Sequence, residues 1–176
     1  MGMEIVVRLL KGPAEKKAAA RQVLEALPAW FAYSAPRERY IEEAGDQAVF
    51  AAFGPAGLLG ILAMEPCTQS SAEIAVMGVL PQFHRQGVGR RLVEACQTTC
   101  RQRGMEFLLV KTLDEANPDP GYAKTRAFYR AMGFRPLKRL PELWGPADPC
   151  LVMVQAIQKT EQEKGGTAMQ RPMRRQ

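Results

Sequence analysis

The stretch best suited to chemistry is Pro81-Gln82-Phe83-His84-Arg85-Gln86-Gly87-Val88-Gly89-Arg90-Arg91-Leu92, where an apolar strand runs into a helix through a Gly-x-Gly turn. The first turn of a helix carries backbone N–H groups without partners and the positive end of the helix dipole. Glycines at 87 and 89 let the main chain approach a ligand closely, so the turn can cradle a pyrophosphate. Arg85, Arg90 and Arg91 add charge. Two common phosphate loops do not fit. A P-loop needs Gly-Lys-Ser/Thr after four spacer residues, and none follows. A dinucleotide fingerprint would want a third small residue where Leu92 stands, and a strand near the chain start. By itself the turn equally describes a tight strand–helix connection.

Charge along the chain supports an anionic ligand. The net charge of +6 is uneven: −2 over residues 1–83, +7 over 84–139, −2 over 140–157 and +3 over 158–176. A cationic middle suits the phosphates of a nucleotide cofactor, and nucleic acid also. The chain lacks interleaved exposed aromatics and any nucleic-acid motif, so nucleic acid is disfavoured. Cys67, Cys96, Cys100 and Cys150 form no C-x-x-C pair, and His84 is the only histidine, so no metal is expected. Buried thiols are the expected state of the four. With no long apolar run and no secretory leader, we expect a cytoplasmic protein without a membrane span.

The elements that position the turn follow from periodicity and breakers. Ile5 to Leu10 reads as a strand, Ala14 to Leu27 as a helix, and Pro36 to Glu43 as a second short helix. Gln47–Phe53 and Leu58–Glu65 read as a hairpin around Gly54-Pro55-Ala56-Gly57. Ala72 to Leu80 is the strand entering the turn. Val88 to Arg103 is amphipathic, with Val88, Leu92, Val93, Cys96 and Cys100 on one face. Then come a strand from Phe107 to Lys111, a loop from Asp114 to Gly121, a helix from Tyr122 to Met132 and a last strand from Leu151 to Ile157. We expect one domain over 1–157 and a disordered polar tail over 158–176.

Two motifs in order resemble the GNAT superfamily of N-acetyltransferases. His84-Arg85-Gln86-Gly87-Val88-Gly89 is similar to the family's acetyl-CoA signature, Gln/Arg-x-x-Gly-x-Gly/Ala, with His84 departing at its first position. Lys124-Thr125-Arg126-Ala127-Phe128-Tyr129-Arg130-Ala131-Met132-Gly133-Phe134 is similar to the second motif, Ala-x-x-Phe/Leu-Tyr-x-x-x-Gly-Phe. A bacterial subgroup is resembled further in Val110-Lys111-Thr112, Pro118-Asp119-Pro120-Gly121-Tyr122 and Trp144. Relatives often carry a cofactor-contacting Asn seven residues before the motif tyrosine. Tyr122 stands there in this chain, and Asn117 lies further back.

The resemblance implies a mixed α/β fold: a mostly antiparallel sheet with a splayed parallel strand pair, flanked by helices. It implies acetyl-CoA as cosubstrate, with no metal, and direct attack by a primary amine in a ternary complex. Met77, Gly78 and Val79 match the strand that pairs with the pantetheine arm, and a free N–H near Val79 could hold the oxyanion. His84, Arg85, Gln86, Gly87, Val88, Gly89 and Arg90 match the phosphate loop. Tyr129 matches the general acid that protonates the departing thiolate. A lysine-like amine is only about 0.04% neutral at pH 7, so a base helps. Glu73 matches the catalytic glutamate of histone acetyltransferases in the superfamily. Trp30, Phe31, Tyr33, Tyr40 and Trp144 could line an acceptor pocket, with packing expected to claim at least half of them. The acceptor, small molecule or protein, stays open, as does a homodimer. Two competing functions are a non-catalytic acyl-CoA sensor on the same fold and a nucleic-acid module.

Overall fold

The computed structural model describes residues 2–158. In chain order the elements are β1 (Val6–Leu9), α1 (Pro13–Glu25), α2 (Ser34–Ala44), β2 (Ala48–Gly54), β3 (Gly57–Pro66), β4 (Ser71–Val79), α3 (Val88–Gln102), β5 (Phe107–Leu113), α4 (Pro120–Ala131), β6 (Arg135–Leu140) and β7 (Cys150–Ala156). A short 3₁₀ turn at Pro81–Phe83 joins β4 to α3. The strands make one sheet in the order β1-β2-β3-β4-β5-β7-β6. Only β4 and β5 pair in parallel. A parallel pair needs a long crossover, and α3 supplies it. The mixed α/β architecture is the one expected.

Strand alternation divides the apolar residues between two faces. Phe50, Ala52, Leu62 and Met64 pack with α3 and with Tyr129 and Phe134 on one face. Val49, Ala51, Ile61 and Ala63 pack with α1 and α2 on the other. The helix α3 turns Val88, Leu92, Val93, Cys96 and Cys100 inward, the stripe its sequence spacing predicts. Cys96, Cys100 and Cys150 are buried as expected, whereas Cys67 is exposed.

One departure from regularity shapes the site. Strands β4 and β5 pair only from Ser71↔Phe107 to Ile74↔Val110. Beyond that rung β4 continues to Val79 and β5 to Leu113 without pairing to each other. On the other edge of β4 the register with β3 shifts, Met64 facing Ile74 and Ala63 facing Val76, so Ala75 is left over as a bulge. A bulge bends and twists its strand. Here it falls where β4 parts from β5, and the expected splay results.

Sequence-based boundaries hold within about two residues, with instructive exceptions. Helix α4 begins at Pro120 rather than Tyr122, because the Asp119 carboxylate caps it, accepting from the N–H groups of Gly121 (2.7 Å) and Tyr122 (3.1 Å). Strand β6 was not expected. It is a charged edge strand, Arg-Pro-Leu-Lys-Arg-Leu, exposed along most of its length. Apart from Gln158, the tail expected over 158–176 lies outside the described residues.

Candidate active site

The turn into α3 has the backbone of an anion cradle. Gly87 caps the helix at φ 84°, a left-handed conformation, and Arg85 is the one non-glycine residue with positive φ among those described (φ 60°). No side chain caps α3, and its first backbone bond runs from the Arg91 N–H to the Gly87 carbonyl at 3.1 Å. The N–H groups of Val88, Gly89 and Arg90 therefore have no acceptor among the described residues. Arg85 and Arg91 are exposed around the turn. Arg90 pairs with Glu94 at 3.2 Å, and the Gln86 amide folds back onto the Gln82 carbonyl at 2.8 Å.

Gly89 is where three elements meet. A Cβ there would lie 3.0 Å from Met77 Cε on β4 and 3.2 Å from Phe128 Cζ on α4. Any larger side chain would have to displace those two side-chain ends. The structure thereby joins the first motif, the strand before it and the second motif, which the sequence separates by about forty residues.

Beyond the last rung with β5, the edge of β4 carries unpaired backbone groups. The Gly78 carbonyl faces Gly60 of β3, and the Leu80 N–H bonds the Leu59 carbonyl at 2.8 Å. Backbone groups alternate along a strand, so those of Met77 and Val79 point the opposite way, into the gap left by β5. The Val79 carbonyl accepts a hydrogen bond from His84 Nε2 at 2.7 Å if that nitrogen carries the proton. The Val79 N–H faces the gap.

Tyr129 is buried on the α3–α4 face, its ring edge-on to Phe128 (5.3 Å) and Phe134 (5.4 Å). Burial pushes its phenol well above the ordinary value, with a smaller push from Cys96. Two anchors fix its helix. Buried Arg126 donates to the Leu113 carbonyl at the end of β5 (2.9 Å). Gln155 of β7 donates to the Met132 carbonyl (2.9 Å) and accepts from Gln97 of α3 (2.7 Å).

Glu73 lies across the sheet from Tyr129. Ala72 and Ile74 belong to the Tyr129 side, so Glu73 between them points to the other face. Its carboxylate holds the Lys111 ammonium from β5, at 2.8 Å through Oε1 and 2.9 Å through Oε2. Partial burial pulls the Lys111 pKa down, but the hydrogen bond and the charge of that carboxylate together hold it above the ordinary lysine value. The two candidate catalytic side chains thus flank the gap between β4 and β5 from opposite sides.

The acetyltransferase (GNAT) domain family model matches residues 41–136, more than half of the chain. The chain belongs to the GNAT acetyltransferase family. Solved structures agree on the fold. A putative GNAT-family acetyltransferase from Desulfovibrio desulfuricans superposes with TM-score 0.77 at 18% identity, over 88% of this chain and 100% of that one. The ribosomal-protein-S18-alanine N-acetyltransferase of Escherichia coli gives 0.70 at 18%, over 94% and 99%. A GNAT-family acetyltransferase from Elizabethkingia anophelis, solved with acetyl-CoA bound, gives 0.64 at 13%, over 86% and 97%. No curated protein sequence matches.

Within this GNAT fold the aromatic residues separate by role. Phe31 and Tyr40 stack edge-on at 6.1 Å and pack on the α1–α2 core. Tyr33 is exposed, and Trp144 is exposed on the β6–β7 connection. Trp30 reaches the site: its ring meets His84 edge-on at 6.1 Å, and its carbonyl accepts from the Tyr122 hydroxyl at 3.4 Å. Tyr122 therefore contacts the α1–α2 loop, and burial raises its pKa. Asn117 ties its loop to the β6–β7 connection, donating to the Ala147 carbonyl, and accepts from the Asp119 N–H. Sequence reasoning missed Lys111 as the partner of Glu73. It also missed Thr112, whose buried hydroxyl has no partner on β5 beyond the splay. Among the described residues no group of three His, Cys, Asp or Glu could hold a metal, and no helix is long and apolar enough to cross a membrane.

Proposed function

We propose that this protein transfers the acetyl group of acetyl-CoA to a primary amine by direct attack. The observation that carries the reading is the convergence at Gly89, where unpaired helix amides, the open edge of β4 and the Tyr129 helix meet. The amides of Val88, Gly89 and Arg90 hold the pyrophosphate, with Arg85 and Arg91 beside it. His84, Gln86 and Gly87 shape the turn. Met77, Gly78 and Val79 guide the pantetheine arm through the gap, and the Val79 N–H stabilises the oxyanion. The amine nitrogen bonds to the thioester carbon as the C–S bond breaks. Tyr129, kept protonated by burial, gives its proton to the sulfur. Glu73 orders the incoming amine from the other face and receives its proton.

Free-thiol release from acetyl-CoA across a broad amine panel tests this. We expect amine-dependent release in the wild type. Binding of acetyl-CoA with no release from any amine would make the protein a sensor on the same fold.

A further inference from the structure

We infer that the acceptor carries a carboxylate close to its reacting amine, as a free α-amino acid does. The inference rests on the acetyltransferase reading and deepens it. Lys111 stands one residue beyond the last paired rung of β4 and β5, at the apex of the splay. An ammonium has three hydrogens, and this one gives two to Glu73, at 2.8 and 2.9 Å. The third has no acceptor among the described residues. The lysine side chain is 35% exposed and that of Glu73 14%.

Helix α1 packs on β3 and β4 of this face, and α3 and α4 lie on the opposite one. Asp114 pairs with Arg139 at 3.0 Å, and Glu65, directly across from Glu73 on β3, takes the neutral Gln47 amide at 2.9 Å. Cys67 and Cys150 complete the neighbourhood.

An acceptor arrives as an ammonium and must come within a hydrogen bond of Glu73. There it meets the Lys111 charge at close range. A simple alkylamine, a polyamine, a protein lysine or a protein N-terminus brings only positive charge and leaves the third Lys111 hydrogen without an acceptor. A carboxylate one carbon away supplies that acceptor. It accepts the free Lys111 hydrogen while the acceptor ammonium donates to Glu73, closing a ring of four alternating charges. The ammonium then gives one proton to Glu73, the neutral nitrogen bonds to the thioester carbon as the C–S bond breaks, the thiolate takes the Tyr129 proton, and the nitrogen's second proton leaves to solvent, from which Tyr129 is reprotonated.

Matched acceptors decide the matter. Thiol release is measured for the common amino acids, their amides and their decarboxylated amines, with polyamines and a peptide N-terminus alongside. We expect at least one amino acid to exceed its amide in kcat/KM by about tenfold or more, the worth of one charged hydrogen bond. In Lys111→Gln that ratio should fall to within about threefold, and Lys111→Arg should keep it. A thermal melt checks that each variant is folded. If Lys111→Gln does not fold, the wild-type acid-to-amide ratio and Lys111→Arg still decide. Equal turnover of acid and amide in the wild type overturns the inference, as does a ratio that survives Lys111→Gln. Turnover of polyamine or peptide but no amino acid overturns it while acetyl transfer stands. No release with any amine overturns both.

Discussion

In the proposed reaction Tyr129 holds a proton until the thiolate departs, and its burial among Phe128 and Phe134 favours the protonated phenol. Tyr129→Phe keeps the packing and removes the proton. We expect kcat to fall by about 10²- to 10⁴-fold with acetyl-CoA affinity unchanged, read by steady-state kinetics and calorimetry. The raised pKa also has a signature in stability. Its contribution is fully present below the unfolded tyrosine value of about 10 and is lost as pH rises through the higher native value. Melting temperature should therefore drop more steeply above about pH 10 in the wild type than in Tyr129→Phe. Tyr129 was legible because its neighbours over 124–134 resemble a motif. The Glu73–Lys111 bond was not, because it exists only through the parallel register that sets Glu73 opposite Leu109.

At the scale of elements, the close approach at Gly89 makes the start of α3 sensitive to a single methyl. Gly89→Ala would push against Met77 and Phe128 and shift the first turn. We expect weaker acetyl-CoA binding by calorimetry, with a smaller loss of melting temperature. At Asp119 the effect reverses: Asp119→Ala removes the α4 cap and should cost about 1 kcal/mol in denaturant unfolding. Strong periodicity made α3 readable almost to the residue. The cap of α4 was missed because Pro120 and Gly121 look like loop, although Pro suits the first helical position. Strand β6 was unreadable because an exposed edge strand full of Arg and Lys lacks the apolar alternation that marks a strand.

Across the whole molecule, the sheet works as a partition with a slot. One face holds α3, α4 and the phenol, the other holds the Glu73–Lys111 pair, and the unpaired stretch of β4 and β5 begins beside that pair. The sequence showed that a parallel pair would splay only by family resemblance, since the bulge at Ala75 follows no turn signal. The cationic stretch over 84–139 gives the phosphate side a long-range field. KM for acetyl-CoA should therefore rise with ionic strength, measured at fixed acceptor between low salt and about 0.5 M, where screening shortens to a few ångströms. Backbone amide chemical shifts during titration with coenzyme A test the central claim most directly. The account predicts the largest changes at Val88, Gly89 and Arg90 and at Met77 and Val79. Saturable binding that leaves those amides unmoved while shifting others would contradict it.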